Sequence, residues 1–219
     1  MPSRARALLA ALAVLALAGC GSASAPSAPT GVDGLVVPTP DPDPGDFVDR
    51  VDNPWFPLTP GTTWRYDGPM ATSARLTARA EPGGEIDGVP TTVLVRTVTG
   101  RAPVRDHYAQ DTAGNVWWFG REGSWEAGTG GAEAGLVMPA RPRIGDGFLT
   151  AQVPGATTPE VASVGARDVS VVVPLGEYER TVVLEVRTEQ GTRREVYARG
   201  IGLVRTDETG LAAYDEPGS

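Results

Sequence analysis

The sequence predicts an all-β protein: a single domain of curved antiparallel sheet, a sandwich or a partial barrel, behind a signal peptide and a linker. Three observations predict it. Runs such as Thr91 to Thr99 (TTVLVRTVT) are rich in β-branched residues, which fit a pleated surface. Turn residues recur about every 8–15 positions, the rhythm of an antiparallel sheet. After Cys20, no window of about 11 residues has apolar side chains at the roughly 3.6-residue spacing of an amphipathic helix.

The chain opens as an export signal. Arg4 and Arg6 form a short basic start, and Ala7 to Ala18 is unbroken apolar sequence. That run is shorter than the roughly 20 residues needed to cross a bilayer core of about 30 Å. It ends at Leu17-Ala18-Gly19-Cys20. These residues resemble the lipobox of bacterial lipoproteins, in which the cysteine is diacylated and becomes the new N-terminus. The resemblance assigns residues 1–19 to the signal peptide, makes Cys20 the lipidation site, and implies attachment to the extracytoplasmic face of the cell membrane. Two acyl chains give a stable anchor where one gives a marginal one. Cys20 is the single cysteine, so no intramolecular disulfide can brace the domain.

Residues 20–52 read as a tether. They are rich in Ser, Ala and Pro and include Pro38-Thr39-Pro40-Asp41-Pro42-Asp43-Pro44. Such sequence buries too little apolar surface to fold, and its prolines favour an extended chain. At about 3.1 Å per residue the tether spans up to roughly 100 Å. Asp41, Asp43, Asp46 and Asp49 suggest calcium, but prolines interrupt the set and the loop glycine is missing. Every basic residue is arginine, and without residues 1–19 the chain carries 17 of them against 27 acidic side chains. That balance disfavours nucleic acid and anionic membrane surfaces as partners.

The folded domain is expected over 53–214, with 215–219 as a flexible end. Asn53 to Gly61 holds three prolines, so it is extended, and Trp55, Phe56 and Leu58 are expected to plug one end of the core. Thr62 to Asp67 alternates as a first strand, and Ala71 to Ala80 and Thr91 to Thr99 follow. Val104 to Gln110 and Val116 to Phe119 flank Asp111-Thr112-Ala113-Gly114-Asn115. Asp opens such turns by accepting from the backbone, and glycine supplies the positive φ, so this stretch predicts a hairpin. Ala127 to Gly135 reads as a glycine-rich loop. Later strands are expected in Gly147 to Val153, Glu160 to Pro174, Glu177 to Thr188, Arg193 to Ala198 and Ile201 to Thr206. The Asp-x-x-Gly-Asn-x-Trp pattern occurs once, which excludes a propeller.

Taken together, Val51-Asp52-Asn53-Pro54-Trp55-Phe56-Pro57-Leu58, Gly61-Thr62-Thr63-Trp64, Tyr108 to Trp117, Gly123-Ser124-Trp125-Glu126-Ala127-Gly128 and Gly200-Ile201-Gly202-Leu203-Val204 resemble a family of uncharacterised bacterial, actinobacterial-type exported proteins and lipoproteins. The resemblance covers most of 51–206 and implies an extracytoplasmic location and a β fold, with no activity attached. Relatives carry a proline before the late glycine pair, where this chain has Arg199.

Catalytic sets are sparse. His107 is the single histidine, and no Gly-x-Ser-x-Gly accompanies it. Asp106, His107 and Asp111 are close in sequence, but adjacent strand residues face opposite sides, so they do not form a zinc set. No cofactor or metal is expected. Glu122, Glu126 and Glu133 near Trp125 leave open an envelope hydrolase working through paired carboxylates. In Val116-Trp117-Trp118-Phe119 both faces of one strand are strongly apolar. Either loops cover the outer face or the sheet curls around an apolar cavity. The expectation is a membrane-anchored binding or cell-envelope module without catalysis. The alternative is a carrier of an apolar, lipid-like ligand, with Trp117, Trp118 and Trp125 as candidate ligand-facing residues.

Overall fold

The computed structural model describes residues 43–68, 75–156 and 158–218. The signal segment, Cys20, Asp41, most of the tether and the start of the strand expected at Ala71 lie outside them. Among the described residues there is no α-helix, and the strands form one antiparallel sheet. In chain order these are β1 (Phe47–Val48), β2 (Thr63–Asp67), β3 (Leu76–Ile86), β4 (Val89–Val98), β5 (Val104–Asp111), β6 (Val116–Arg121), β7 (Trp125–Glu126) and β8 (Glu133–Met138). They continue with β9 (Gly147–Leu149), β10 (Ala151–Gln152), β11 (Val161–Val173), β12 (Gly176–Thr188), β13 (Gly191–Ala198), β14 (Gly202–Thr206) and β15 (Gly210–Asp215).

Neighbours run β10-β8-β6-β5-β4-β3-β2-β15-β14-β13-β12-β11-β9, with β1 added to β5 and β7 to β6. The two ends of this path, β9 and β10, are separated in the chain by Thr150 alone. Leu149 pairs with Val161 on one side, and Ala151 pairs with Ala134 on the other. The sheet is therefore nearly closed into a barrel, which removes the unpaired edges an open sheet exposes. Gly135 makes the junction possible. A Cβ there would stand 2.2 Å from the Thr150 carbonyl carbon. Of the two architectures the sequence allowed, the partial barrel is the one found.

Side chains alternate between the barrel interior and its outside. Trp64, Tyr66, Ala78, Tyr108, Trp118, Leu184 and Tyr197 belong to the main core. Ile86, Val89, Ala109, Trp117, Phe119 and Ala127 form a second cluster outside β4–β6. The segment before β2 plugs one end as its sequence predicts, with Trp55, Phe56 and Leu58 buried. The Gly200 amide donates to the Pro54 carbonyl at 2.7 Å and the Leu58 amide to the Val51 carbonyl at 2.9 Å. The Phe56 ring lies 5.1 Å from Tyr108 and 5.9 Å from Tyr197. Burying a side chain of that size contributes roughly 1.5–3 kcal/mol. The long β11–β12 hairpin slips register at three points and lays its tip on β15, where the Leu175 amide donates to the Leu211 carbonyl at 2.9 Å.

Several boundaries differ from expectation. Order begins before residue 53, because Phe47 finds an apolar partner. β1 pairs Phe47 with Asp111, and its ring meets Phe119 edge-on at 5.1 Å. β3 runs past Ala80 to Ile86 by shifting register between Pro82 and Glu85. Glu133 to Gly135, expected in a loop, already belong to β8. The last strand reaches Asp215, which pairs with Thr63.

Candidate functional site: the barrel lumen

The β5–β6 hairpin sets the site's geometry. The Asp111 carboxylate accepts from the Asn115 amide and Asn115 Nδ2, each at 2.8 Å, and from Trp117 Nε1 at 2.9 Å. The Gly114 amide donates to the Asp111 carbonyl at 2.9 Å, and Gly114 takes φ of 91°. With the turn fixed, Trp117 and Trp118 are sent to opposite faces. Trp117 goes outward, where Phe47 caps it edge-on with ring centroids 6.5 Å apart. Trp118 goes inward, and its Nε1 donates to the Gly120 carbonyl at 2.8 Å.

Trp118 lines a cavity of about 720 Å³ that runs through the barrel. Phe56 and Leu58 line it toward the plug, and Leu94, Ala162 and Leu184 line its walls. Gln190, Asp207 and Glu208 in exposed turns and Thr192 at the start of β13 border it at the opposite end, which is its mouth.

Charge is concentrated in the mouth half. Asp106, wholly buried, accepts from Arg96 Nη2 and from Arg121 Nε at 2.8 Å. The Arg121 guanidinium also sits 5.1 Å from the Trp118 ring centre, a cation–π contact. On β13, Arg193 donates to Glu195 at 2.9 Å and to Glu160 at 3.1 Å. Glu195 also accepts from the Tyr197 hydroxyl at 2.8 Å. The carboxylates around Arg96 and Arg193 hold both guanidiniums charged despite burial. Burial pushes the Tyr66, Tyr108 and Tyr197 phenols above their ordinary range. Tyr66 donates to the Leu203 carbonyl at 2.9 Å. Among the described residues, the Tyr108 hydroxyl has no hydrogen-bond partner.

Of the three tryptophans expected to face a ligand, Trp118 lines the lumen. Trp117 does not, because its face is closed by Phe47 and Ala127. Trp125 stands behind Trp118, edge-on at 4.9 Å. His107 is not partly exposed, as an isolated strand histidine would be; it is buried outside the barrel, 3.0 Å from Thr91 Oγ1. Thr91, His107 and Glu122 stand in a row, with 3.6 Å between His107 Nε2 and Glu122. Thr91 is no free nucleophile, since its hydroxyl donates to the Gly84 carbonyl at 2.7 Å. Glu122 is tied to Arg105 at 2.9 Å. Asp106 and His107 face opposite sides, and among the described residues no three His, Cys, Asp or Glu side chains converge as metal ligands.

The sequence reading missed the lumen charges. Their signal lies in strand parity: Leu94 and Arg96, Asp106 and Tyr108, and Arg193, Glu195 and Tyr197 each share a face. Charge on the same face as buried aromatics is the mark of a polar lumen.

No protein-family model, curated protein or solved structure matches the chain. No described helix is long and apolar enough to cross a membrane.

Proposed function

We propose that the protein is a lipid-anchored extracytoplasmic binding protein whose barrel carries an apolar molecule. The observation that carries this reading is Trp118 on a cavity of about 720 Å³, while its neighbour Trp117 is packed away outside. Small-molecule sites are concave and largely apolar and measure about 300–1,000 Å³, a range that includes this lumen. The anchor at Cys20, motivated by Leu17-Ala18-Gly19-Cys20, would hold the carrier at the membrane surface, the source of apolar cargo. The role is binding, with no bond made or broken.

Purified protein from its own membrane, extracted with solvent, should release a stoichiometric apolar compound beyond its own acyl chains. Titration of the unacylated protein with fatty acids should shift tryptophan emission, because Trp64 and Trp118 both line the lumen. Leu184→Trp should fill the cavity and suppress the shift while the protein still folds. An empty extract together with a flat titration would overturn the reading. Intact mass of the native protein tests the anchor: cleavage beyond Cys20 without an acyl adduct would rule it out.

A further inference from the structure

The carrier reading leaves the chemistry of the cargo open, and the charges of the lumen restrict it. Resting on that reading, we propose that the lumen binds a single-chain amphiphile with a zwitterionic head, its anionic group held by Arg96 and Tyr108 and its cationic group by Glu195.

The first observation is the division of charge between two walls. On the β4–β6 wall, two guanidiniums, Arg96 and Arg121, share one buried carboxylate, Asp106. One positive charge is left over there. On the other side, Arg193 serves two carboxylates, Glu195 and Glu160, leaving one negative charge in this set, with the exposed Asp207 and Glu208 adding to it at the mouth. β4 and β13 are separated by four strands along the sheet, so these walls face each other across the lumen. Arg96 and Glu195 feel each other electrostatically, yet no ion pair joins them. The side chain of Arg96 is 36% exposed although it lies deep in the barrel, so its free surface opens onto the lumen.

The second observation is the Tyr108 hydroxyl. Its residue is 6% exposed and lines the lumen, within electrostatic reach of Arg96. The Tyr66 and Tyr197 hydroxyls are hydrogen-bonded within the protein, and among the described residues no buried side-chain oxygen lacks a partner, so the unpartnered Tyr108 hydroxyl is open to the lumen. Tyr108, with no protein partner among the described residues, has a donor to spare for an anionic oxygen beside a guanidinium. Charge-assisted bonds from both groups to one phosphate are stronger than neutral ones. Apolar walls stand beside these groups: Trp118 is the cross-strand neighbour of Tyr108, Leu184 that of Glu195, and the Phe56 ring lies 5.1 Å from Tyr108, so a hydrocarbon chain would run alongside them. The size of the lumen suits one chain better than two.

The test compares three lipids of one acyl chain, below their micelle concentrations, by calorimetry on the purified protein: lysophosphatidylethanolamine, lysophosphatidylglycerol and monoacylglycerol. The zwitterionic lipid should bind about tenfold or more tighter than the neutral one, the worth of one hydrogen bond to a charged group. Tyr108→Phe breaks no protein hydrogen bond. It should weaken the zwitterionic lipid several-fold and leave monoacylglycerol unchanged. Glu195→Gln should bring the zwitterionic lipid down to the level of lysophosphatidylglycerol. Equal affinities for all three lipids, tighter binding of lysophosphatidylglycerol, or a Tyr108→Phe variant that binds the zwitterionic lipid as well as the parent would each overturn the head-group assignment and leave the carrier standing. Binding of none of the three would count against the carrier itself.

Discussion

Asn53 donates from Nδ2 to the Gly114 carbonyl at 2.8 Å, tying the plug to the tip of the β5–β6 hairpin. The same amide donates to the Pro139 carbonyl at 3.3 Å and accepts from the Trp55 amide at 2.8 Å, and Asn53 is almost wholly buried. Asn53→Ala should therefore cost about 2–3 kcal/mol, since three backbone groups lose a buried partner. Urea denaturation would measure it, and a loss below 0.5 kcal/mol or so, the scale of an ordinary surface change, would show that the plug is held without the Asn53 side chain.

Gly114→Val should lower the melting temperature. A β-branched residue at φ of 91° is strained by about 1–3 kcal/mol, and its Cβ would also stand 3.4 Å from that of Ala140. An unchanged melt would mean that the turn re-forms in another type.

Asp106→Asn should destabilise the barrel by roughly 3–5 kcal/mol, the cost of breaking a buried charge set by removing one partner. Arg96 and Arg121 would then face each other without the carboxylate between them. The readout is again equilibrium unfolding, with near-UV circular dichroism reporting whether the Trp118 environment survives.

The alkaline limb of stability is set by the lumen tyrosines. Burial raises Tyr66, Tyr108 and Tyr197 above their ordinary value of 10.0. The folded state holds these protons more tightly than the unfolded one. Their contribution is thus complete below about pH 10 and is lost as pH rises beyond it. In a spectrophotometric titration, these three should ionise together with the loss of β-sheet signal. Tyrosinate appearing in full while the fold persists would contradict the burial described above.

The parts of the molecule legible in sequence are those set by local chemistry. Asp111 and Gly114 announced their turn because it follows from backbone preference. Prolines 54, 57 and 60 excluded a helix, but the extended segment expected of them instead turns at Pro54 to Phe56, where the Phe56 amide donates to the Asn53 carbonyl at 3.0 Å. Trp117-Trp118-Phe119 announced two apolar faces because the strand period is two. What covers each face was not legible, since Phe47 lies more than sixty residues upstream in a proline-rich stretch. The lumen charges escaped for a related reason: Arg96, Asp106, Arg121 and Glu195 come from four strands, and only barrel closure shows that they share one space. Closure itself rests on Gly135 and Thr150 passing at van der Waals limits, which no local preference encodes.

That closure has a mechanical consequence. The ring is fastened by six consecutive residues, Gly147 to Gln152, with three paired on one flank and two on the other. Elsewhere the ladders run as long as the 13-residue strands β11 and β12. The barrel is thus a rolled collar with a short clasp at 147–152 and a second thin seam where β14 meets β15 at Arg205 and Gly210 alone, and its breathing concentrates at these two joints. Amide exchange in the ring should be fastest over 147–152 and at the β14–β15 seam, and a disulfide placed across Ala134 and Ala151 would lock the clasp shut. A cargo too wide for the mouth would then lose that sideways way in.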